Sequence, residues 1–170
     1  MGGSTSKEEL VPLEVVDHVD LEKYVGMWYE YGRYPNRFQA EDGENVTATY
    51  TLNEDETIKV VNEEFIEGKK KTINGKAWVH NKEESTSKLK VSFFWPFAGN
   101  YWVIQLGENY EYAVVGEPKR KYLWILSRTT EIPEEIVSSI LTKLKEQGYD
   151  PEKVKMTKQV PPREEATNTA

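Results

Sequence analysis

Apolar and polar residues alternate in short runs over the first three quarters of the chain. The clearest run is KLKVSFF at residues 88–94, in which Leu89, Val91 and Phe93 fall on one side and polar residues on the other. A period of two is typical of a β-strand with one buried face. Repetition of such runs, punctuated by Gly, Asn, Pro and acidic residues, predicts an all-β protein.

Eight strands are predicted, and the connections between them are mostly short enough for hairpins. An antiparallel, up-and-down order follows, and a sheet of this length closes into a barrel because closure removes its exposed edges. One face of the third strand begins with Ile58 and Val60 and ends with Asn62 and Glu64, which predicts an interior that is apolar at depth and polar towards one end. The predicted strands are residues 27–34, 46–52, 57–66, 71–80, 88–95, 101–106, 112–116 and 122–128.

Two helical segments flank the strands. Residues 133–148 carry apolar side chains at helical spacing, with Pro133 at the start and Gly148 after the end, so one C-terminal helix is expected to pack outside the barrel. Asp20 caps a short N-terminal helical turn at residues 20–24. The folded domain is predicted to span residues 15–158, between a flexible leader at residues 1–14 and a flexible tail at residues 159–170.

Composition narrows the classes of function. The chain has 170 residues and a net charge of -7, with 29 acidic against 22 basic residues, which disfavours a nucleic-acid partner. It has no cysteine, and its two histidines fall outside metal-ligand spacing, so no metal site, cofactor or catalytic residue is predicted. No apolar run reaches the roughly 20 residues of a membrane-spanning helix.

The segment GMWYEYGRY at residues 26–34 mixes aromatic and charged residues in one strand. If Trp28 faces inward, a period of two also directs Glu30, Gly32 and Tyr34 inward. A carboxylate in an apolar interior needs a hydrogen-bond partner, water or a ligand head group. Glu30 is therefore a candidate polar contact inside the barrel.

Two motifs resemble the lipocalin family. GMWYE at residues 26–30, after DLEKYV, is similar to its first signature, and YLWILSR at residues 122–128 is similar to its third. The intervening sequence resembles the bacterial lipocalin branch, which is related to plant temperature-induced lipocalins and apolipoprotein D. The resemblance implies a calycin barrel in which Gly26, Trp28 and Arg128 are structural, with the Arg128 cation over the Trp28 indole at the narrow end.

The resemblance also implies a ligand chamber. For the strand at residues 101–106, Trp102, Ile104 and Leu106 compete with Tyr101, Val103 and Gln105 as the inward set, and the direction of Trp78 is open as well. The predicted ligand-binding residues are Glu30, Tyr34, Tyr50, Asn62, Val91, Phe93, Trp102, Ile104, Trp124 and Leu126.

The function expected from these features is the binding of a small hydrophobic ligand, a fatty acid or a lysophospholipid. One alternative is a barrel retuned for a dye or a tetrapyrrole pigment, and a second is a lipid-modifying enzyme of the same fold. The resemblance implies a place at the bacterial cell envelope, on the periplasmic face of the outer membrane, although the chain lacks a cysteine for lipidation. Phe94, Trp95 and Phe97 could serve the core, a homodimer contact or peripheral contact with a membrane.

Overall fold

Eight antiparallel strands form the wall of a closed barrel in the computed structural model, which describes residues 10–160. Each strand pairs with the next, and pairing of the first strand with both the second and the eighth closes the sheet. The predicted eight-stranded up-and-down barrel is confirmed. Its strands are β1 (Gly26–Arg33), β2 (Glu44–Leu52), β3 (Ile58–Ile66), β4 (Lys69–Asn81), β5 (Ser85–Phe94), β6 (Phe97–Leu106), β7 (Tyr112–Gly116) and β8 (Leu123–Ser127).

Strands β4, β5 and β6 are longer than the alternation predicted. The β3–β4 ladder continues to the pair Ile66 and Lys69, and the β5–β6 ladder continues to Phe94 and Phe97. Backbone pairing extends these hairpins almost to their turns, whereas the apolar alternation that guided the prediction stops earlier.

The C-terminal helix α2 (Glu134–Glu146) packs against the outside of the barrel, as predicted. Its stripe centres on Ile140 and Leu144, which are 1% and 0% exposed. These side chains cover the outward faces of β6, β7 and β8, so the helix buries apolar surface that would otherwise face water. The apolar partners on those strands are Ile104, Val114, Leu123 and Ile125.

A short helical turn, α1 (Leu21–Tyr24), crosses the end of the barrel where β1 begins. The predicted cap is present, since the Asp20 carboxylate accepts from the Glu22 amide at 3.1 Å. The Val19 amide donates to Thr86 Oγ1 at 2.9 Å, and the Asp20 amide donates to the Tyr110 hydroxyl at 2.9 Å. These bonds tie the start of α1 to the first residues of β5 and to the turn that follows β6. We call this end the closed end, and the opposite end the mouth.

Strand β1 contains a bulge at which its pairing with β8 changes register, between Glu30 and Gly32. Pairing of β1 with β2 covers only residues 26–29, and above that point the segment after α2 occupies the gap. This segment includes a 3₁₀ turn (Pro151–Lys153) and a ninth strand, β9 (Lys155–Met156), which pairs with the upper part of β1. Gln159 then bridges β1 and β2 by donating to the Glu30 and Val46 carbonyls at 2.8 and 2.9 Å. Neither the 3₁₀ turn nor β9 was predicted.

The N-terminal segment before the barrel makes contacts where it is described. Leu13 is 7% exposed and joins the cluster beneath α2, and the Val11 carbonyl accepts from the Arg120 guanidinium. The rest of the predicted leader, residues 1–9, and most of the predicted tail, residues 161–170, lie outside the described residues.

Candidate functional site

The inner wall of the barrel changes character along its length. Near the closed end, inward side chains such as Trp28, Val103 and Val115 are fully buried against one another. Further towards the mouth, inward residues retain accessible surface although they belong to the sheet. The inner wall therefore borders open space inside the upper barrel. The partly accessible inward residues include Ala48, Asn62, Val91, Tyr101 and Trp124.

Gly99 widens this space. Its strand neighbour Tyr101 faces inward, and Gly99 itself pairs with the inward residue Val91. A Cβ placed at Gly99 would meet no other atom within 4 Å, so the wall has room for a side chain here. We call the accessible interior bordered by Val91, Gly99 and Trp124 the lumen.

The closed end is sealed by Trp28 and Arg128, as the family resemblance implied. The Arg128 guanidinium lies 3.7 Å from the centre of the Trp28 ring, and the indole donates to the Tyr24 carbonyl at 2.8 Å. Burial lowers the pKa of Arg128, while its N–H groups donate to backbone carbonyls that include Met27 at 3.0 Å. Gly26 has a φ of +104°, a conformation that L side chains rarely adopt, which explains the glycine in the signature.

Three tyrosines meet inside the barrel above this seal. The Tyr101 hydroxyl lies 2.6 Å from the Tyr24 hydroxyl and 2.9 Å from the Tyr50 hydroxyl. Burial raises the pKa of Tyr50 to about 12 and raises the pKa values of Tyr24 and Tyr101 well above the ordinary value. The three phenols, which we call the tyrosine triad, therefore remain protonated at neutral pH.

Two polar atoms on the inner face of β3 lack partners. Asn62 Oδ1 and Glu64 Oε2 are buried and have no hydrogen-bond partner within residues 10–160. Glu64 is only 6% exposed, and Gly43 lies against its carboxylate, which a Cβ on Gly43 would approach to 2.5 Å. An unpaired buried acceptor lowers the stability of the fold, so a ligand that donates a hydrogen bond to either of these two oxygens would gain binding free energy.

Glu30, by contrast, is fully partnered. Its Oε2 accepts from Arg33 Nη1 at 2.7 Å and from the Thr157 hydroxyl at 2.5 Å. Its Oε1 accepts from Gln39 Nε2 at 2.9 Å, and both Glu30 and Arg33 are almost fully buried. The expected candidate for a ligand head group is thus a member of an internal ion pair, and three protein donors already bind its two carboxylate oxygens.

Gln39 connects this ion pair to the loop at the mouth. Besides donating to Glu30, it accepts from the Trp124 indole at 3.0 Å and from the Asn36 amide at 2.9 Å. Arg33 also donates to the Ala40 carbonyl at 2.5 Å. The loop between β1 and β2 is therefore anchored over the inner wall by polar contacts.

The expectation that Tyr34 faces the lumen was wrong. The bulge after Glu30 adds one residue to the alternation, so Arg33 turns inward while Gly32 and Tyr34 turn outward. Tyr34 packs edge-on against Tyr149 with ring centres 5.4 Å apart, in the cluster beneath α2.

Trp102 and Ile104 also face outward, contrary to the inward set that was favoured. Tyr101 and Val103 belong to the interior cluster, whereas Trp102 and Ile104 belong to the cluster beneath α2. A register shift between Val103 and Gln105 then turns Gln105 outward as well, where it donates to the Ile140 carbonyl at 3.2 Å. Neither predicted set was right throughout, because each assumed unbroken alternation.

The remaining predicted wall residues have the expected orientation. Tyr50, Val91, Phe93, Trp124 and Leu126 belong to or pack against the interior cluster, and Asn62 carries one of the unpaired acceptors. Their contact with a ligand stays a prediction. The direction of Trp78 was left open by the sequence. Trp78 pairs with Lys90 on β5 and faces outward.

Three contributors to the interior were missed, Tyr24, Arg33 and Gln39, and the inward direction of Tyr101 had been left open between two alternatives. Tyr24 is supplied by α1 and Gln39 by a loop, so no strand period could place either of them. The abundance of tyrosine was the available signal, but it does not specify which hydroxyls meet.

The mouth carries an exposed aromatic rim. Phe94, Trp95 and Phe97, at the β5–β6 turn, are 72%, 81% and 77% exposed. Exposed lysines, Lys69 and Lys70, begin the neighbouring strand β4 at the same end. None of the helices within residues 10–160 is long and apolar enough to cross a membrane.

Comparison with known proteins agrees with this architecture. A family model described as "Lipocalin-like domain" matches residues 19–159. Temperature-induced lipocalin-1 of Arabidopsis thaliana is 41% identical over 91% of this chain and 86% of its own length. The outer membrane lipoprotein Blc of Citrobacter freundii is 40% identical over 85% of this chain and 82% of its own length.

A solved structure shares the fold at lower identity. Insecticyanin from the tobacco hornworm Manduca sexta matches with a TM-score of 0.71 at 21% identity, over 86% of this chain and 84% of that chain. The family model and the two relatives cover nearly all of the described barrel, including the closed-end pair of Trp28 and Arg128. The chain belongs to the lipocalin family.

Proposed function

We propose that this lipocalin binds the apolar chain of a single-chain amphiphile in its lumen and keeps the head group near the mouth, without catalysing a reaction on it. The observation that carries the proposal is the inward wall at Val91, Gly99 and Trp124, where the two side chains keep accessible surface and a Cβ at Gly99 would meet no atom within 4 Å. Transfer of a chain from water to such a wall is worth roughly 0.8 kcal/mol per buried methylene, before the cost of ordering.

The unpaired acceptors on β3 favour one kind of head group. An ionised fatty acid would bring a third acceptor, and a second negative charge, towards Asn62 and Glu64. A lysophospholipid also carries a negative charge, on its phosphate, but its glycerol hydroxyl and the ammonium group of an ethanolamine head can donate to these oxygens. Of the two expected ligand classes, the lysophospholipid fits the inner wall better.

Glu64→Gln tests this preference, because it removes the charge while keeping the side-chain length. Lysophosphatidylethanolamine and palmitate are titrated into both proteins by calorimetry at pH 7.5. We expect the wild type to bind the lysolipid more tightly, and the lysolipid-to-palmitate affinity ratio to fall by roughly tenfold in the variant, corresponding to about 1.4 kcal/mol.

Glu63→Gln is the matched control. It alters the next residue of β3, where Glu63 forms an exposed ion pair with Lys70 at 3.1 Å on the outer face. The affinity ratio should remain that of the wild type in this variant. An equal ratio in wild type and Glu64→Gln would contradict the assignment of Glu64 to the head group.

The mouth supports peripheral contact with a membrane. Three exposed aromatic side chains on one turn, with lysines at the start of the neighbouring strand β4, have the composition of a surface that lies at the headgroup level of a bilayer. Ligand exchange would then occur directly between lipid and lumen. The outer membrane lipoprotein among the relatives supports the expected place at the periplasmic face of the outer membrane.

Co-flotation with phosphatidylcholine vesicles tests membrane contact. Trp95→Ser combined with Phe97→Ser should reduce the vesicle-bound fraction several-fold, whereas Met27→Ser, which removes an exposed apolar residue at the closed end, should not. Failure of wild type to float would contradict membrane contact, and a rim variant that dissociates a dimer in sedimentation would instead identify the rim as a homodimer contact.

A further inference from the structure

The two ends of the barrel carry opposite charges. The three hairpin turns at the closed end, which follow β2, β4 and β6, contain seven acidic residues and a single basic one, Lys82. The segment that follows β8 starts at the same end, and it adds acids up to the first turn of α2. The acidic residues in these four places are Glu54, Asp55, Glu56, Glu83, Glu84, Glu108, Glu111, Glu131, Glu134 and Glu135. The closed end is therefore strongly acidic.

Two of the connections at the mouth are basic instead. The β3–β4 turn leads into three exposed lysines at residues 69–71, and the β7–β8 turn carries the basic run KRK at residues 119–121. The first of these connections contains one exposed acid, Glu67. The second contains Glu117, which is only 7% exposed and accepts hydrogen bonds from backbone amides of its own turn. Basic residues therefore dominate the exposed surface of both connections.

Most of these cations are not neutralised by a neighbouring carboxylate. Within residues 10–160, Lys70 pairs with Glu63 at 3.1 Å, and the Arg120 guanidinium donates to backbone carbonyls such as that of Gln147 at 3.0 Å. The other four side chains are exposed and form no ion pair in the same part of the chain. We call these four the mouth lysines: Lys69, Lys71, Lys119 and Lys121.

The aromatic rim lies between the two basic connections. The β5–β6 turn carries the rim, and β5 pairs with β4 while β6 pairs with β7. Around the mouth the order is therefore basic, aromatic, basic. The β1–β2 loop, which holds the acids Glu41 and Asp42, lies on the opposite side of the mouth according to the strand order. One side of the mouth thus combines exposed aromatic rings with cations on both flanks.

The net charge of -7 does not prevent this side from meeting an anionic surface. Strand β5 has 10 residues, so the two ends of the barrel are roughly 25 Å apart when the strands tilt as they do in closed barrels. The electrostatic screening length at physiological salt is about 8 Å. A surface that touches the mouth therefore interacts with the mouth lysines, while the acids of the closed end are several screening lengths away.

We propose that the mouth docks on an anionic lipid bilayer, with the aromatic rim at the headgroup level and the mouth lysines on acidic headgroups at either side. The acidic closed end points away from the bilayer because the surface charge repels it. The inference rests on the membrane contact proposed above, and it adds the class of lipid and the orientation. In this orientation the lumen opens towards the lipid from which the amphiphile comes.

Co-flotation with two kinds of vesicle tests the class of lipid. One kind is phosphatidylcholine alone, and the other contains about three parts in ten of phosphatidylglycerol. A basic residue close to an anionic surface raises binding roughly fivefold, so wild type should bind the anionic vesicles at least tenfold more tightly than the neutral ones. This preference should shrink to less than about twofold when salt is raised from about 0.05 M to about 0.5 M, because salt screens the charges.

The variant to compare replaces all four mouth lysines by glutamine. It should bind both kinds of vesicle with nearly equal affinity, while its binding to phosphatidylcholine stays that of wild type because the aromatic rim is intact. The matched control has the same change in net charge, since it replaces four exposed lysines of the closed end and of the outer wall by glutamine. These are Lys23, Lys59, Lys76 and Lys82. The control should keep the preference for anionic vesicles.

Fluorescent labels at the two ends test the orientation. The chain has no cysteine, so a single introduced cysteine can be labelled with an environment-sensitive dye. Phe94→Cys places the dye on the aromatic rim, and Asp55→Cys places it on a turn of the closed end. Anionic vesicles should raise the emission of the dye at residue 94 several-fold and leave the emission of the dye at residue 55 unchanged.

The outcomes separate this inference from the proposals on which it rests. Equal binding of wild type to the two kinds of vesicle, a preference that persists without the mouth lysines, or a response of the closed-end dye would overturn anionic docking. In each of these cases, binding of wild type to phosphatidylcholine would leave peripheral membrane contact intact. Failure of wild type to bind either kind of vesicle would overturn both. Lysophosphatidylethanolamine affinity in solution reports on the lumen alone, and it should be the same in wild type and in the variant without mouth lysines.

Discussion

Arg128 shows how much one side chain at the closed end does. Its guanidinium lies over the Trp28 ring and donates to carbonyls of α1 and β1, so it joins the end of β8 to the segment that seals the barrel. Arg128→Ala should therefore lower the free energy of unfolding by about 1 to 3 kcal/mol, measured by denaturant titration.

Arg37→Ala is the matched control for that measurement. Arg37 also stacks on an aromatic ring, that of Phe38 at 5.1 Å, but both residues are exposed at the mouth. Loss of this exposed pair should change the unfolding free energy by less than about 0.5 kcal/mol. Equal effects of the two substitutions would contradict a special role for the buried pair.

Single residues were predictable where a motif specified both partners. Trp28 and Arg128 stand in two separate signatures, and the structure places one over the other. Glu30 was identified as an inward carboxylate, but its partner Arg33 was not, because unbroken alternation would put Arg33 on the opposite face. The three hydroxyls of the triad come from α1, β2 and β6, and nothing local in the sequence links them.

At the scale of the strand, the bulge in β1 creates the ion pair. It turns Arg33 to the same side as Glu30, three residues earlier, and both charges are buried. Glu30→Gln should leave the guanidinium without its anion and lower the unfolding free energy by about 3 kcal/mol. Denaturant titration checks this result.

Glu63→Gln is again the control, because its ion pair with Lys70 is exposed and should contribute less than about 1 kcal/mol. A Glu30→Gln protein as stable as the control would show that the buried pair adds nothing to stability. In that case Glu30 would return to consideration as a ligand contact.

The positions of the strands and helices were easier to predict than the direction in which their side chains point. All eight strands and both helical segments follow from alternation, turn residues and caps. Tyr34 was misassigned because the bulge in β1 inserts one residue and reverses the later side chains. Ile104 was misassigned because the wrong one of the two competing phases was chosen for β6. The short β9 is specified by its pairing with β1 rather than by its own two residues.

For the whole molecule, the buried phenols predict loss of stability at high pH. The pKa of Tyr50 is raised to about 12 by burial, and the unfolded value is about 10. Between these values the folded state holds a proton that the unfolded state has released, so stability is complete below pH 10 and falls as pH rises. Tyr50→Phe should make this decline shallower by about 1.4 kcal/mol per pH unit.

Urea titrations between pH 9 and 12 measure that slope. Tyr29→Phe, at a partly exposed position of β1, keeps the whole triad and serves as the control. The control should decline as steeply as wild type. Parallel declines in wild type and Tyr50→Phe would mean that Tyr50 is not shielded from water as its burial indicates.

The central claim is that an apolar chain occupies the lumen, and filling the lumen with a side chain tests it most directly. Gly99→Trp places an indole in space where a Cβ meets no atom within 4 Å, so the barrel should still fold. The control, Thr72→Trp, adds the same side chain at an exposed position of β4. Thr72 precedes Ile73, which pairs with the inward residue Asn62, so Thr72 lies on the outer face. The measurement is the calorimetric affinity of lysophosphatidylethanolamine for both folded variants. The account predicts a loss of at least tenfold in Gly99→Trp and wild-type affinity in Thr72→Trp, whereas undiminished affinity in a folded Gly99→Trp protein would contradict it.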